Sequence, residues 1–148
     1  MAVEKIFVGG EWRAAAVREI FSATNPATGK VVPGEFPVSG WSDCEIALDA
    51  AVEAARELRT IPGEQIAGFL EGFARAVEVR VDEIVAIAHL ETGLPIAPRL
   101  RDVEIPRTAT QLRQAATAAR EGSWTCPVID SKANIRSHFA PVGPVVVF

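Results

Sequence analysis

The chain finishes in an uninterrupted apolar run, Val145–Phe148, which follows a Pro-Val-Gly-Pro turn at 141–144. Continuous β-branched residues are typical of a strand buried on both faces, as in a parallel sheet that is covered by helices. A parallel strand needs a partner strand and a crossover of a dozen or more residues. Neither follows Phe148, so we expect this sequence to be a piece cut from a longer α/β fold.

Length and charge narrow the classes of protein that remain. The 148 residues are 49% hydrophobic and 23% charged, which is typical of one globular domain. Fifteen basic and nineteen acidic residues give a net charge of −4, and no basic stripe is present to bind nucleic acid. No apolar stretch approaches the roughly 18–20 residues that cross a bilayer. The N-terminus also lacks the pattern of a signal peptide, so we expect a cytoplasmic protein with neither nucleic-acid nor membrane partners.

The first forty residues predict hairpins. Gly9-Gly10 can close a tight turn between Ile6–Val8 and Trp12, because glycine readily adopts positive φ. A second hairpin is predicted around Asn25–Gly29, with Phe21–Thr24 and Lys30–Val32 as its strands. The Pro- and Gly-rich stretch from Pro33 to Gly40 is expected to be an irregular, exposed connection.

A helical period begins at Ser42. Ser42-Asp43-Cys44-Glu45 has the pattern of a capping box, in which the hydroxyl and the carboxylate accept hydrogen bonds from free amides at the helix start. The following residues predict an amphipathic helix with one buried stripe, made of Leu48, Ala51, Val52, Ala55 and Leu58.

Three further helices are predicted, and we expect all four to form one compact assembly. The second begins at Pro62, with Ile66, Phe69, Leu70, Phe73 and Val77 on one face. Gly68 and Gly72 inside it cost about 1 kcal/mol each relative to Ala, which indicates a neighbouring backbone packed closely there. The third runs from Asp82 to Thr92, ends at Gly93 and turns Val81, Ile84, Val85 and Ala88 inward. The fourth covers roughly Pro98 to Glu121, with a kink or restart at Pro106.

The residue types that usually carry catalysis do not form a recognisable pattern. Cys44 and Cys126 stand far apart, match no metal-ligand spacing and are expected to be small, at least partly buried side chains. His89 on a helix, His138 in a predicted strand and Glu91 at a helix end are expected to be structural or surface positions. The sequence contains no GxGxxG, GxxxxGK or HExxH motif. We therefore predict no catalytic residue and no metal ligand in this chain.

Several motifs, in their order, resemble the N-terminal portion of aldehyde dehydrogenases. They are Gly9-Gly10-Glu11-Trp12, the Asn25–Gly29 turn, the amphipathic helices, Glu91-Thr92-Gly93-Leu94-Pro95 and the approach from Arg136 to Phe148. Gln111-Leu112-Arg113, Glu121-Gly122-Ser123-Trp124 and the closing Pro-Val-Gly-Pro-Val-Val-Val-Phe are most similar to the α-ketoglutarate semialdehyde (2,5-dioxovalerate) dehydrogenase branch.

This resemblance implies an oxidoreductase that converts an aldehyde to a carboxylate with NADP or NAD. In the family a cysteine thiolate attacks the aldehyde, hydride passes to nicotinamide and a glutamate activates water. The family's motifs for these groups lie beyond Phe148, and neither Cys44 nor Cys126 matches the nucleophile's motif. The chain alone is therefore expected to be inactive and to bind no cofactor, with Phe148 as its only residue near the cofactor cleft.

The resemblance also implies a division of the chain. Residues 1–127 would be the N-terminal part of the cofactor-binding domain, with hairpins followed by about four helices. Residues 128–140 would be an oligomerisation hairpin, which implies a homo-oligomer, and 141–148 the truncated first strand of a Rossmann-like sheet. The stretch Asp130–Arg136 is shorter than in the semialdehyde branch, which could alter both substrate and assembly, and Pro106 interrupts a helix where we expect a more permissive residue.

A second hypothesis belongs to a different class of protein. The chain could be a freestanding helical interaction module, or half of a split protein that docks onto a partner chain. A chain of this size can bury about 68–70% of its unfolded surface without help.

Overall fold

The computed structural model describes residues 3–147, which form three antiparallel strand pairs and four α-helices. Two hairpin-like sheets come first, then the helices, and a third strand pair follows them. The elements are β1 (Ile6–Val8), β2 (Glu11–Arg13), β3 (Val17–Phe21), β4 (Phe36–Ser39), α1 (Trp41–Leu58), α2 (Gly63–Val79), α3 (Val81–Thr92), a π-helical segment (Ile96–Glu104), α4 (Ile105–Glu121), a 3-10 turn (Ser123–Thr125), β5 (Val128–Asp130) and β6 (Ile135–Ser137). The predicted α/β class, with N-terminal hairpins and four helices, is confirmed.

The first predicted hairpin is confirmed. β1 and β2 pair antiparallel, with Phe7 opposite Trp12 and their ring centroids 5.2 Å apart. Gly9 and Gly10 close the turn with φ values of 62° and 86°, a conformation that costs a side chain energy and glycine very little.

For the second predicted hairpin, the turn is confirmed and the predicted strands are wrong. Asn25 Oδ1 accepts hydrogen bonds from the amides of Ala27 and Thr28, at 2.9 and 3.2 Å, as an Asx turn requires. Thr24 and Val31 form only an isolated bridge, and β3 pairs instead with β4. The stretch expected to be an irregular connection thus contains a half-buried strand, because its residue Phe36 packs against Phe21 with ring centroids 5.6 Å apart.

The predicted capping box is wrong. α1 begins at Trp41, one residue before the expected cap, and its N-cap is Gly40 with no side-chain hydrogen bond. Glu45 accepts a hydrogen bond from the Trp41 indole at 3.0 Å rather than from a backbone amide. Asp43, only 4% exposed, accepts a hydrogen bond from the Ala16 amide at 2.7 Å. A tertiary contact has therefore replaced the local cap.

The stripe predicted to be buried on α1 is largely exposed. Leu48, Val52 and Leu58 all remain accessible to solvent, whereas Ala51 and Ala55 are half-buried. α1 packs against β1 and β4 more than against any other helix, so the four helices form a less compact assembly than expected. The helical period is confirmed, but no helix or strand of residues 3–147 covers this face.

The tightest packing in the described chain is between α2 and α4. Ala67 and Ala74 on α2, and Ala109 and Ala116 on α4, are almost completely buried. Alanine side chains let the two helix backbones approach closely. The face predicted to be inward is wrong in its aromatic members, because Phe69 is 70% exposed and stacks on the exposed Phe73 at 6.4 Å.

The close backbone approach on α2 is at Gly63, and not at the two glycines where the sequence indicated it. A Cβ atom on Gly63 would lie 2.2 Å from the carbonyl oxygen of Ala119 in α4. A Cβ on Gly68 would meet nothing within 4 Å, and one on Gly72 would meet only the end of the Arg75 side chain at 3.8 Å.

Ion pairs reinforce the same contact from the solvent side. Arg120 on α4 donates hydrogen bonds to Glu64 at 2.7 Å and to Glu71 at 3.1 Å. Arg113 donates a bidentate pair of hydrogen bonds, each of 2.7 Å, to Glu78. The hydrogen bond from Arg120 lowers the pKa of Glu64, and the one from Arg113 lowers the pKa of Glu78.

The remaining helical expectations are confirmed. α3 ends at Gly93, whose φ of 71° forms a left-handed cap, and Val85 is its buried residue. The predicted restart at Pro106 is the start of α4, where Pro106 lies in the first turn and needs no amide partner. That position also explains how a proline is tolerated here. Within residues 3–147 no helix is long and apolar enough to cross a membrane.

Gly63→Ala should lower the free energy of unfolding by about 1–3 kcal/mol, because the new methyl group must push α2 away from α4. Urea or thermal unfolding of the purified chain measures this. Gly68→Ala is the matched control. It should instead raise the free energy of unfolding by about 0.5–1 kcal/mol, because alanine favours a helix more than glycine does and its methyl group would meet no other atom there. Equal effects at the two positions would contradict the assigned contact.

Acid should weaken the α2–α4 contact. The pKa of Glu64 is lowered by folding, so its contribution to stability is complete above the unfolded value of about 4.3 and is lost as the pH falls through the lower folded value. We expect the Tm of Arg120→Gln to fall less steeply than that of the parent between about pH 5 and pH 3. Arg59→Gln, at an arginine outside these ion pairs, should keep the parent's slope, and an unchanged slope in Arg120→Gln would refute the assignment.

Candidate functional site

A concave surface lies where the C-terminal end of α1, the N-terminal end of α2 and the C-terminal end of α4 meet. It is a depression of about 640 Å³, and residues 138–141 lie along one side. Its walls are mostly apolar, with Leu58, Ile61, Ile66, Leu70, Ala115 and Ala119 among the lining residues. A second depression, of about 410 Å³, adjoins it between α1 and residues 141–144. We call the two together the α1–α4 groove.

Local backbone geometry positions the segment beside the groove. Gly122, with a φ of 65°, ends α4 in a left-handed cap, and the chain turns through Ser123–Thr125. The Thr125 hydroxyl donates to the Gly122 carbonyl at 2.8 Å, and the Thr125 carbonyl accepts a hydrogen bond from the Phe139 amide at 2.8 Å. These contacts hold Phe139 and the residues after it against the end of α4.

Few polar groups border the groove. Arg59, which caps α1, lines both depressions, and His138 lines the larger one. Arg59 takes part in no ion pair among residues 3–147, in contrast to Arg113 and Arg120 on α4. The groove thus presents one cation at its rim and an apolar interior.

Among the described residues, neither cysteine is hydrogen-bonded to an acidic or basic side chain. The expectation that they are partly buried is wrong, because both are exposed and neither forms a disulfide. Cys44 lies in the first turns of α1. Cys126 has a positive φ of 41°, and its Sγ lies 3.6 Å from the Ser123 carbonyl oxygen. A nucleophilic thiol needs an adjacent base or cation, and the structure shows none hydrogen-bonded to either residue.

The other titratable candidates occupy separate places. His89 on α3 is half-buried and its Nδ1 donates to the Leu94 carbonyl at 2.6 Å, which is a structural role at the helix end. Glu91 is exposed at the end of α3, as expected. His138 is exposed and follows β6 rather than lying in a strand, so its predicted strand position is wrong. The described residues contain no group of three side chains able to hold a metal ion.

A dinucleotide cofactor is bound where a parallel strand leads through a glycine-rich turn into a helix. Every strand described here belongs to an antiparallel pair. β4 does lead through Gly40 into α1, but Gly40 is buried against the Ala16 backbone and the carboxylate of Asp43 lies in the first turn. The Asp43 carboxylate there disfavours a phosphate at the start of α1.

Phe148, the residue predicted to contact cofactor, lies outside the described residues. Residues 145–147 belong to no strand, and Val147 is 87% exposed. Their assignment as the first strand of a larger sheet stays a prediction.

Sequence reasoning missed two features of this region. Asp43 was interpreted as part of a local cap, and nothing in its spacing indicates a contact with residue 16. The groove was missed because its lining comes from four separate stretches, several of them alanine-rich and weak in any hydrophobic pattern.

Known proteins are similar to this chain in both sequence and fold. A sequence model of the aldehyde dehydrogenase family matches residues 12–148. Alpha-ketoglutaric semialdehyde dehydrogenase 2 of Azospirillum brasilense is 34% identical over 85% of this chain and 26% of its own length. Malonate-semialdehyde dehydrogenase 3 of Geobacillus kaustophilus is 34% identical over 60% of this chain and 18% of its own length.

Solved structures of aldehyde dehydrogenases contain a segment with a similar fold. A putative aldehyde dehydrogenase from Burkholderia cenocepacia superposes with a TM-score of 0.73 at 26% identity, over 80% of this chain and 24% of that one. Lactaldehyde dehydrogenase from Escherichia coli gives a TM-score of 0.72 at 26% identity, over 79% and 24%. This chain spans about a quarter of the length of such relatives. Because the family's pattern extends over nearly all of the sequence, the chain belongs to the aldehyde dehydrogenase family.

Proposed function

We propose that this chain is the N-terminal portion of an NAD(P)-dependent aldehyde dehydrogenase and is inactive alone. The observation that carries the proposal is the family match over residues 12–148 in a chain that spans about a quarter of its relatives. The complete enzyme would oxidise an aldehyde to a carboxylate and reduce NADP or NAD. The nucleophile, the general base and the cofactor site would lie in the other three quarters.

The proposed inactivity is supported by the chemistry of the described residues. Cys44 and Cys126 lie in separate parts of the chain, and the Cys126 thiol hydrogen-bonds to a backbone carbonyl rather than to a base. An aldehyde-oxidising centre needs a thiolate, an oxyanion donor and a base within reach of one carbon atom. Residues 3–147 bring no such set together.

We propose α-ketoglutarate semialdehyde as the substrate. This is the aldehyde in the name of the Azospirillum relative, and the motifs around Gln111 and Glu121 resemble the same branch. The substrate would be a small anionic aldehyde, in contrast to the aminoaldehydes in the names of several plant relatives.

The proposal divides the chain as the resemblance implies. Residues 1–127 would belong to the cofactor-binding domain, 128–140 to an oligomerisation hairpin and 141–148 to the first strand of the cofactor sheet. The β5–β6 pair supports the hairpin, since its strands are exposed and carry Val128, Ile129 and Ile135 without cover from residues 3–147. The complete enzyme would be a homo-oligomer that uses this hairpin.

The purified chain should form no reduced nicotinamide with α-ketoglutarate semialdehyde and either NAD or NADP. A hybrid that joins residues 1–148 to the remaining three quarters of the Azospirillum enzyme should oxidise the same aldehyde, measured by absorbance of the reduced cofactor. The same hybrid without aldehyde is the blank. Activity in the isolated chain that Cys44→Ser or Cys126→Ser abolishes would refute the inactivity, and a folded hybrid that turns over no semialdehyde would refute the assigned chemistry.

A second candidate function is a freestanding module, or a split-protein half, that docks onto a partner chain. The exposed apolar stripe of Leu48, Val52 and Leu58 on α1 favours it, because such surface marks an interaction site.

The intact mass of the protein in its native source, detected with an antibody to this segment, separates the two functions. A mass several-fold above 15.8 kDa is expected for a piece of a complete dehydrogenase. A mass near 15.8 kDa, with a stoichiometric partner on purification, would support the freestanding form instead.

A further inference from the structure

The two N-terminal strand pairs are joined to each other by hydrogen bonds, and we call them together the N-terminal unit, residues 3–40. The Glu4 amide donates to the Glu35 carbonyl at 2.8 Å and so connects the β1–β2 pair to the β3–β4 pair. At the open end of the second pair, the Ser22 hydroxyl donates to the Gly34 carbonyl at 2.7 Å. The unit is therefore held together by its own hydrogen bonds.

We propose that Asp43 of α1 is a latch for the N-terminal unit. Its carboxylate holds the unit on the helix, and loss of its hydrogen bond to Ala16 lets the whole unit detach while α2 and α4 stay in contact. The latch does not depend on the substrate or the cofactor of the complete enzyme.

The first observation that supports the latch is the position of the carboxylate. Ala16 lies in the link between β2 and β3, and its amide donates to Asp43 Oδ2 at 2.7 Å. The Ala16 carbonyl oxygen accepts a hydrogen bond from the Gly40 amide at 2.8 Å. The start of α1 therefore binds both backbone polar groups of one residue, at the point where the chain passes from the first strand pair to the second.

The second observation is burial. Asp43 is 4% exposed and is the one charged residue that is buried in the part of the chain that the structure describes. A buried carboxylate is costly unless it is hydrogen-bonded, and its bond to an amide is stronger than one between neutral groups. Arg13 is 43% exposed and lies 3.8 Å from Asp43 Oδ1, which is too far for a hydrogen bond, so it adds only a weak attraction.

The third observation is that the unit otherwise meets the helices through van der Waals contacts. α1 contacts the unit at β1 and β4. A Cβ on Gly9 would lie 4.0 Å from the Ala50 Cβ of α1, and a Cβ on Gly93, which ends α3, would lie 3.2 Å from Pro26 Cγ. Within residues 3–147, the bond from Ala16 to Asp43 is the one side-chain hydrogen bond that joins the unit to a helix.

The α2–α4 contact can remain when the unit detaches. Its buried alanines and its ion pairs belong to those two helices alone, and α1 packs mainly on the unit. Groups of elements in a protein can open together at a free energy below that of global unfolding. The latch makes residues 3–40 such a group.

Asp43→Ala in the chain of residues 1–148 removes the acceptor and should release the unit. Trypsin should then cleave after Arg18, in β3, about 10- to 100-fold faster than in the parent, because cleavage follows the population of the open form. Cleavage after Arg113, in α4, should change by less than about twofold in the same digest. Hydrogen exchange should show the same division, with faster exchange in residues 17–21 and 36–39 and unchanged exchange in residues 109–118.

Three further variants identify the interaction responsible. Asp43→Asn keeps an oxygen that can accept the Ala16 amide, so it should accelerate cleavage after Arg18 less than Asp43→Ala does. Arg13→Gln removes only the distant cation and should change that rate by less than about threefold. Asp49→Ala, at an exposed carboxylate on the same helix, is the matched control and should leave the rate unchanged.

Four outcomes would overturn the latch. Cleavage after Arg18 could be unchanged in Asp43→Ala, or cleavage after Arg18 and Arg113 could accelerate equally. Failure of Asp43→Ala to fold would show that Asp43 supports the whole chain rather than the attachment of one unit. An effect of Arg13→Gln as large as that of Asp43→Ala would assign the attachment to the ion pair instead of the hydrogen bond.

Discussion

The helical part of the chain depends on the contact of α2 with α4. Ala67 and Ala74 are seven residues apart, as are Ala109 and Ala116, so each helix presents a narrow buried row of methyl groups to the other. The approach is close enough that Gly63 leaves no room for a Cβ beside the Ala119 carbonyl. Arginine–glutamate ion pairs join the two helices on the solvent side of this contact, and they fix the register of α2 against α4.

Features that depend on a few consecutive residues could be predicted from the sequence. The Gly9-Gly10 turn, the cap at Gly93 and the restart at Pro106 are each dictated by which φ values one residue can adopt. Burial could not be predicted in the same way. A hydrophobic period shows which face of α1 is apolar, but it does not show whether a partner for that face lies within the chain.

The same limit applies wherever a tertiary contact competes with a local one. The Ser42–Glu45 pattern satisfies the rule for a capping box, yet Asp43 accepts the amide of Ala16, and Glu45 accepts the indole N–H of Trp41. Similarly, the buried rows of α2 and α4 are alanines, which contribute little to a hydrophobic pattern, whereas the conspicuous Phe69 and Phe73 remain outside. The residues that determine packing here are small ones whose neighbours are distant in sequence.

For the site, the sequence could not indicate where a concave surface would form. The α1–α4 groove is assembled from the ends of three helices and a segment that follows the third strand pair, so no local motif encodes it. One side of α2 is covered by the contact with α4 and its ion pairs, whereas apolar side chains of α1 and of residues 145–147 are exposed. The exposed apolar side chains of α1 and of residues 145–147 are surface that water does not stabilise, which is the kind of surface that marks an interaction site.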